Sequence, residues 1–165
     1  MKKKFSFWGT IIIFVLAMAL HSLFDITSLD IFKPISPVNE SVWEHMKMMF
    51  FAGFLYYLLN IVFSRGQNFK NLAGYAVSLI VMPLVIPMLV YTYTSIVGTN
   101  ILAVDIVIAF IAALAGEYIA FRLRPKHPYR HNRITIFLSA VIIALLAFMF
   151  VYFTYNPLGT PIFLE

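Results

Sequence analysis

An all-α, multi-pass membrane protein built as a bundle of five helices is the fold the sequence predicts, and three observations carry the prediction. The mean hydropathy is +0.90, charged residues make up only 12% of 165, and five apolar runs of bilayer-spanning length are separated by short polar stretches. So little polar surface cannot cover a soluble globule of this size, whereas an apolar run of about 20 residues is what a helix needs to cross a bilayer. No polar stretch is long enough for a separate soluble domain, so the chain reads as a single transmembrane domain over residues 1–165.

The first run, about Phe5 to Phe24, follows Lys2, Lys3 and Lys4. Its Ala17-Met18-Ala19 also resembles a secretory cleavage site, but the following segments span as well, so it is read as a retained first helix. The second run covers Lys47 to Phe63. Two polar starts compete ahead of it: Ser41-Val42-Trp43-Glu44 has the form of a capping box, and Ser36-Pro37 puts a serine cap before a first-turn proline. Trp43 suits an interfacial aromatic belt. The third run, Leu72 to Val97, contains Pro83 and Pro87, which remove amide donors and are expected to kink it. The fourth, Ile101 to Phe121, spaces Ala112, Gly116 and Ala120 four apart, and the fifth, Ile134 to Tyr155, does the same with Ala140 and Ala144. Small residues at that spacing let helices approach closely, so both stripes are expected to face neighbouring helices.

Ten of the twelve basic residues then fall on one side: Lys2, Lys3, Lys4, Arg65, Lys70, Arg122, Arg124, Lys126, Arg130 and Arg133. The positive-inside rule makes that side cytoplasmic, so the amino terminus is predicted inside, the carboxyl terminus outside, and the protein in a cell membrane among lipids. The formal charge of +5 does not form a basic face interleaved with exposed aromatics, so nucleic acid is not an expected partner. Zero cysteines exclude disulfides and thiolate chemistry. There is no GxxxxGK[ST], GxGxxG or GxSxG motif and no internal repeat, which leaves nucleotide hydrolysis, a standard serine hydrolase and an inverted-repeat transporter unsupported.

Chemistry concentrates where the first helix ends and the second begins. His21 and Asp25 stand four apart, Glu40 and Glu44 repeat that spacing, His45 points about a quarter-turn from Glu44, and Lys47 follows three residues after it. Asp105 begins the fourth helix at the same depth, with Tyr91, Thr92 and Tyr93 closing the third and Asn156 following the fifth. Charges facing lipid are costly, so these groups are expected to turn inward and form a polar pocket open to the outside. Histidines and carboxylates together suit a divalent cation such as zinc. The assignment is His21, Asp25, His45 and Asp105 as ligands and Glu44 and Glu40 as catalytic carboxylates, with Lys47 and Tyr91 lining the pocket. The same residues also admit structural readings: Glu44 as a helix cap, Lys47 paired with Glu44 or snorkelling outward, His21 bonded to Asp25, and Asp105 as a cap. Glu117 lies deeper, in the inner half of the fourth helix near Arg122 and Asn60, as a second candidate along a path. His127 and His131 are four apart in a loop broken by two prolines, where topology and lipid headgroups explain them better than metal. Asn39-Glu40-Ser41 is read as an accidental glycosylation sequon beside the membrane.

The string Ser36-Pro37-Val38-Asn39-Glu40-Ser41-Val42-Trp43-Glu44-His45-Met46-Lys47, with His21 and Asp25 before it and Val104-Asp105-Ile106 after, resembles a family of small bacterial integral membrane proteins of unknown function. Tyr155-Asn156-Pro157 and Pro161 to Glu165 look like the beginning of that family's tail. The resemblance implies a bacterial, multi-spanning protein, and it supplies no reaction, cofactor or partner. Three functions follow from the residues: a pocket protein that binds or processes a small or lipid-derived substrate, as a metal-assisted hydrolase if it is an enzyme; a transporter or substrate-binding subunit; and a non-catalytic assembly or accessory protein.

Overall fold

A computed structural model describes residues 5, 7–124 and 133–164, the side chains at 67 and 68 excepted. Five helices long and apolar enough to cross a membrane account for most of these residues: α1 (Phe7–Thr27), α2 (Val42–Phe63), α3 (Leu72–Val97), α4 (Leu102–Arg122) and α5 (Arg133–Tyr155). Short 3-10 turns occupy Asp30–Phe32, Gln67–Asn71 and Pro161–Phe163, and there is no strand among the described residues. The chain is all-helical and has the span pattern of a multi-pass membrane protein.

Helix boundaries follow capping chemistry more closely than hydropathy. α2 begins at Val42, before the apolar run at Lys47, because Ser41 has extended backbone (φ −66°, ψ 153°) and its hydroxyl accepts from the Glu44 amide at 3.4 Å. Ser36 has a different task from the cap proposed for it. Its buried hydroxyl donates to the Leu20 carbonyl at 2.6 Å and accepts from the Phe24 amide at 3.0 Å, tying the α1–α2 connection to the last turns of α1. α3 ends at Gly98, whose φ of 83° favours glycine, so the turn to α4 takes only a few residues. α3 continues as one helix through Pro83 and Pro87. Their missing amides leave the Leu79 and Pro83 carbonyls without the usual helical donor.

α1, α2, α3 and α4 close a ring in which each packs on the next and α4 returns to α1, while α5 lies outside against α3 and α2. Successive helices alternate in direction. The last turns of α1, α3 and α5 therefore share one end with the first turns of α2 and α4, as Ser36–Leu20, Tyr93–Asp105 and Thr154–Glu44 hydrogen bonds make explicit. The ring interior is filled by Ile13, Ala17, Met49, Ala52, Met82, Ala112 and Ala113, while Phe50 packs against Phe150 of α5.

The small-residue stripe of α4 packs as expected: Ala112, Gly116 and Ala120 are buried, and a Cβ on Gly116 would lie 2.2 Å from Met82 Cγ. The stripe of α5 does not. Ala140 and Ala144 are exposed, and Ser139, Ile143 and Phe150 form its buried side. Large residues make that contact because α5 packs on an aromatic surface. Trp43, expected at an interfacial belt, is only 8% exposed and stacks among Phe150, Phe153 and Phe163 at centroid distances of 5.0, 5.6 and 4.7 Å. The segment after α5 thus folds back onto the start of α2.

Candidate functional site

The expected polar residues gather at the shared end, but they divide into two constellations with different surroundings. The first is a rim cluster. His21 from the last turns of α1, His45 from the first turns of α2 and Glu40 from the connection offer one ligand atom each, all within 4.8 Å of one another. His21 Nε2 is 3.7 Å and His45 Nε2 3.5 Å from Glu40 Oε2, and the two imidazole centroids are 5.3 Å apart. Bonds of about 2.0–2.1 Å to a tetrahedral ion place ligand atoms about 3.3–3.4 Å apart, so the three need move little to share one ion.

The orientation of His45 comes from α2 itself. Its Nδ1 is 2.9 Å from the Ser41 carbonyl, one helical turn back. A carbonyl only accepts, so Nδ1 carries a proton, and in the neutral tautomer this selects, the lone pair lies on Nε2, facing Glu40 and His21. A backbone carbonyl holding the far nitrogen of a histidine is the arrangement that fixes metal-ligating imidazoles.

The cluster stands at the edge of a cavity of about 370 Å³ inside the helix ring. Its upper part has His21, Glu40, His45, Asn100 and Asp105 together with Val42 and Leu102; lower down it is lined by Met48, Ile86, Val90, Ile108 and Ala109. Asp105 does not cap α4, since Ile101 is the cap residue and makes no side-chain bond there. Its carboxylate accepts from Tyr93 at 2.7 Å, and the Tyr93 oxygen in turn accepts from the Ile101 amide at 3.0 Å. Asp105 therefore faces the cavity, outside the three-residue ligand group.

The second constellation is buried between α2 and α5. Lys47 is fully buried and Glu44 nearly so, and they pair at 2.5 Å through Glu44 Oε2. Lys47 Nζ also donates to the Lys33 carbonyl at 2.7 Å and to Thr154 Oγ1 at 2.9 Å. Glu44 accepts from the Val38 amide at 3.0 Å and from Thr154 Oγ1 at 2.9 Å. Every oxygen of Glu44 is thus used inside the fold, and neither Glu44 nor Lys47 lines the cavity. Of the structural readings, Lys47 pairs with Glu44 and does not snorkel outward, and the reciprocal half of the capping box is not made, because Glu44 reaches past Ser41 to Val38. Outside the spans, the exposed Asp30 holds the half-buried Lys33 ammonium above its ordinary range by a hydrogen bond at 2.8 Å.

The chain is covered over residues 1–165 by the model of a family described as a family of unknown function, DUF6512. The chain belongs to the DUF6512 family. Neither a curated protein nor a solved structure matches it.

Several positions in this DUF6512 chain differ from the sequence reading for definable reasons. Equal spacing of Glu40 and Glu44 implies a common helical face only when both are helical, and the cap at Ser41 leaves Glu40 outside α2. Asp25 shares α1 with His21 but is exposed near its end and is outside the ligand group. Tyr91 is 44% exposed and points away; Tyr93, two residues on and about 200° round the helix, is the one that meets Asp105. Glu117, 1% exposed, pairs with Arg124 at 3.2 Å instead of Arg122, which lies over the Tyr118 ring. Arg124 lies past the end of α4, whose cap is Leu123, so helical spacing alone does not predict its return to Glu117. Tyr57 completes that site, donating to Glu117 at 3.3 Å with Ser78 2.7 Å from its hydroxyl. His127 and His131 lie outside the described residues.

Proposed function

We propose that this membrane protein holds a divalent cation, zinc being the best fit, on His21, Glu40 and His45, and presents it to the cavity in order to bind or process a small or lipid-derived substrate. The carrying observation is the His45 ring, held through Nδ1 by the Ser41 carbonyl so that Nε2 faces Glu40 at 3.5 Å and His21 beyond it. Two histidines and one carboxylate are a ligand set that leaves a fourth position for water or substrate. A divalent ion there would polarise a carbonyl or lower the pKa of bound water to about 7, which makes metal-assisted hydrolysis the most concrete reaction. Asp105, anchored by Tyr93, is placed to meet a donor on the substrate from the opposite wall.

The site sits at the outer face of a bacterial cytoplasmic membrane in this proposal. Arg65, Lys70, Arg122, Arg124 and Arg133 at the other end of the bundle support that orientation. A transport path is less well supported, because Met49, Met82, Ala112 and Ala113 fill the interval between the cavity and Glu117 and are fully buried.

Purified protein is expected to bind about one zinc per chain, and His45→Ala to weaken binding by more than about a hundredfold, beyond the loss seen for a merely supporting partner. Isothermal titration of metal-stripped protein in detergent measures both. Equal zinc affinity in the wild type and the His45→Ala and His21→Ala variants would remove the proposal.

A further inference from the structure

We infer that the cavity takes an acyl compound with an uncharged carbonyl head, seated with the head at the rim cluster and the acyl group pointing down into the helix ring. The inference rests on the proposed cation site and names what that site receives.

The cavity's polar side chains all stand in its upper part, beside Val42 and Leu102, and its floor is apolar. From Val42 to Met48 on α2, and from Leu102 to Ala109 on α4, the lining descends about 10 Å at the helical rise. Over that descent His45 and Asp105 give way to Met48, Ile86, Ile108 and Ala109, none of which has a hydrogen-bonding side chain beyond a weak thioether. A ligand that is polar throughout would leave its lower half unpaired, and a ligand that is wholly apolar would leave the cation's open position without a donor atom. An amphiphile satisfies both levels in only one direction, with its polar end uppermost.

Charge then selects the head. Among the described residues no lysine or arginine lines the cavity, and Lys47, the nearest basic residue in sequence, is committed to Glu44, Thr154 and the Lys33 carbonyl. Glu40 and Asp105 already balance a divalent cation, so a multiply charged phosphate would meet Asp105 with nothing to offset it. A carbonyl fits, its oxygen on the ion and an adjacent N–H or O–H donating to Asp105. The acyl group can belong to a soluble short-chain compound or to a membrane lipid, and the shared chemistry is the same.

Metal-stripped protein in nanodiscs is reloaded with cobalt, whose visible absorption reports the coordination, and titrated with hydroxamic acids from acetohydroxamic to octanohydroxamic acid. Affinity is expected to rise about fourfold for each added methylene that reaches the apolar floor. Ala109→Leu, which shortens the floor, should stop the rise at a shorter chain, and Ile86→Ala should extend it. Alkyl phosphonic acids of equal chain length should bind more weakly than the hydroxamic acids. A rise that levels off within the series assigns a soluble acyl compound, and one that continues to its end assigns a lipid; both support the inference. Affinity independent of chain length, insensitivity to both floor variants, or tighter phosphonate binding would overturn it while cobalt remains bound. Failure to bind cobalt at all would instead overturn the cation site, so the two failures are distinct.

Discussion

Lys47→Met is expected to lower stability by about 3–5 kcal/mol, the cost of leaving one partner of a buried ion pair uncompensated. Both partners are buried, so solvent does not screen the loss as it would at a surface. The remaining Glu44 carboxylate would keep the Val38 amide and Thr154 but lose its counter-charge. Removing both charges in Glu44→Gln/Lys47→Met should recover much of the loss, since the desolvation of each ion disappears with it. Unfolding in mixed detergent, followed by circular dichroism, compares the single and double variants. A double variant no more stable than Lys47→Met would show that shape at this position matters and charge does not.

Gly116→Ala is the second substitution with a large expected effect, about 1–3 kcal/mol destabilising from overpacking. The added Cβ would meet Met82 Cγ at 2.2 Å and Ser78 Oγ at 2.9 Å in the α3–α4 interface. Met82 is fully buried and lies against Gly53 as well, so its side chain cannot swing out into solvent to make room. Met82→Ala removes the obstructing atoms, and Gly116→Ala should then cost much less in that background than in the wild type. The same unfolding measurement on the four proteins yields the coupling, and additive losses would contradict this packing.

The five spans were legible because long apolar runs have few physical options, and the convergence of α1, α2 and α4 followed from alternating direction. The division of the polar residues was not legible. His21 and His45 could be placed near each other from topology, but which carboxylate joins them depends on where α2 begins. The hydroxyl of Ser41 decides that, and two competing caps made it ambiguous. Thr154 gave no signal at all: a threonine in an apolar helix is ordinary, and its partners stand 110 and 107 residues away in the chain. The exposed alanines of α5 show the limit of spacing rules, since a stripe of small residues permits close approach without requiring it.

The docking of α5 also bears on the order in which the protein is completed. α2 is synthesised long before α5, yet its first two turns carry a lysine and a glutamate that share Thr154, and a tryptophan enclosed by Phe150, Phe153 and Phe163. Until the last helix inserts, those turns have a buried pair one hydroxyl short and an aromatic surface open to lipid. The connection bearing Glu40 is held by the same lysine and glutamate, through the Lys33 carbonyl and the Val38 amide. The seating of α5 on Glu44 and Lys47 is thereby linked, through those two bonds, to the connection that carries Glu40 into the rim cluster.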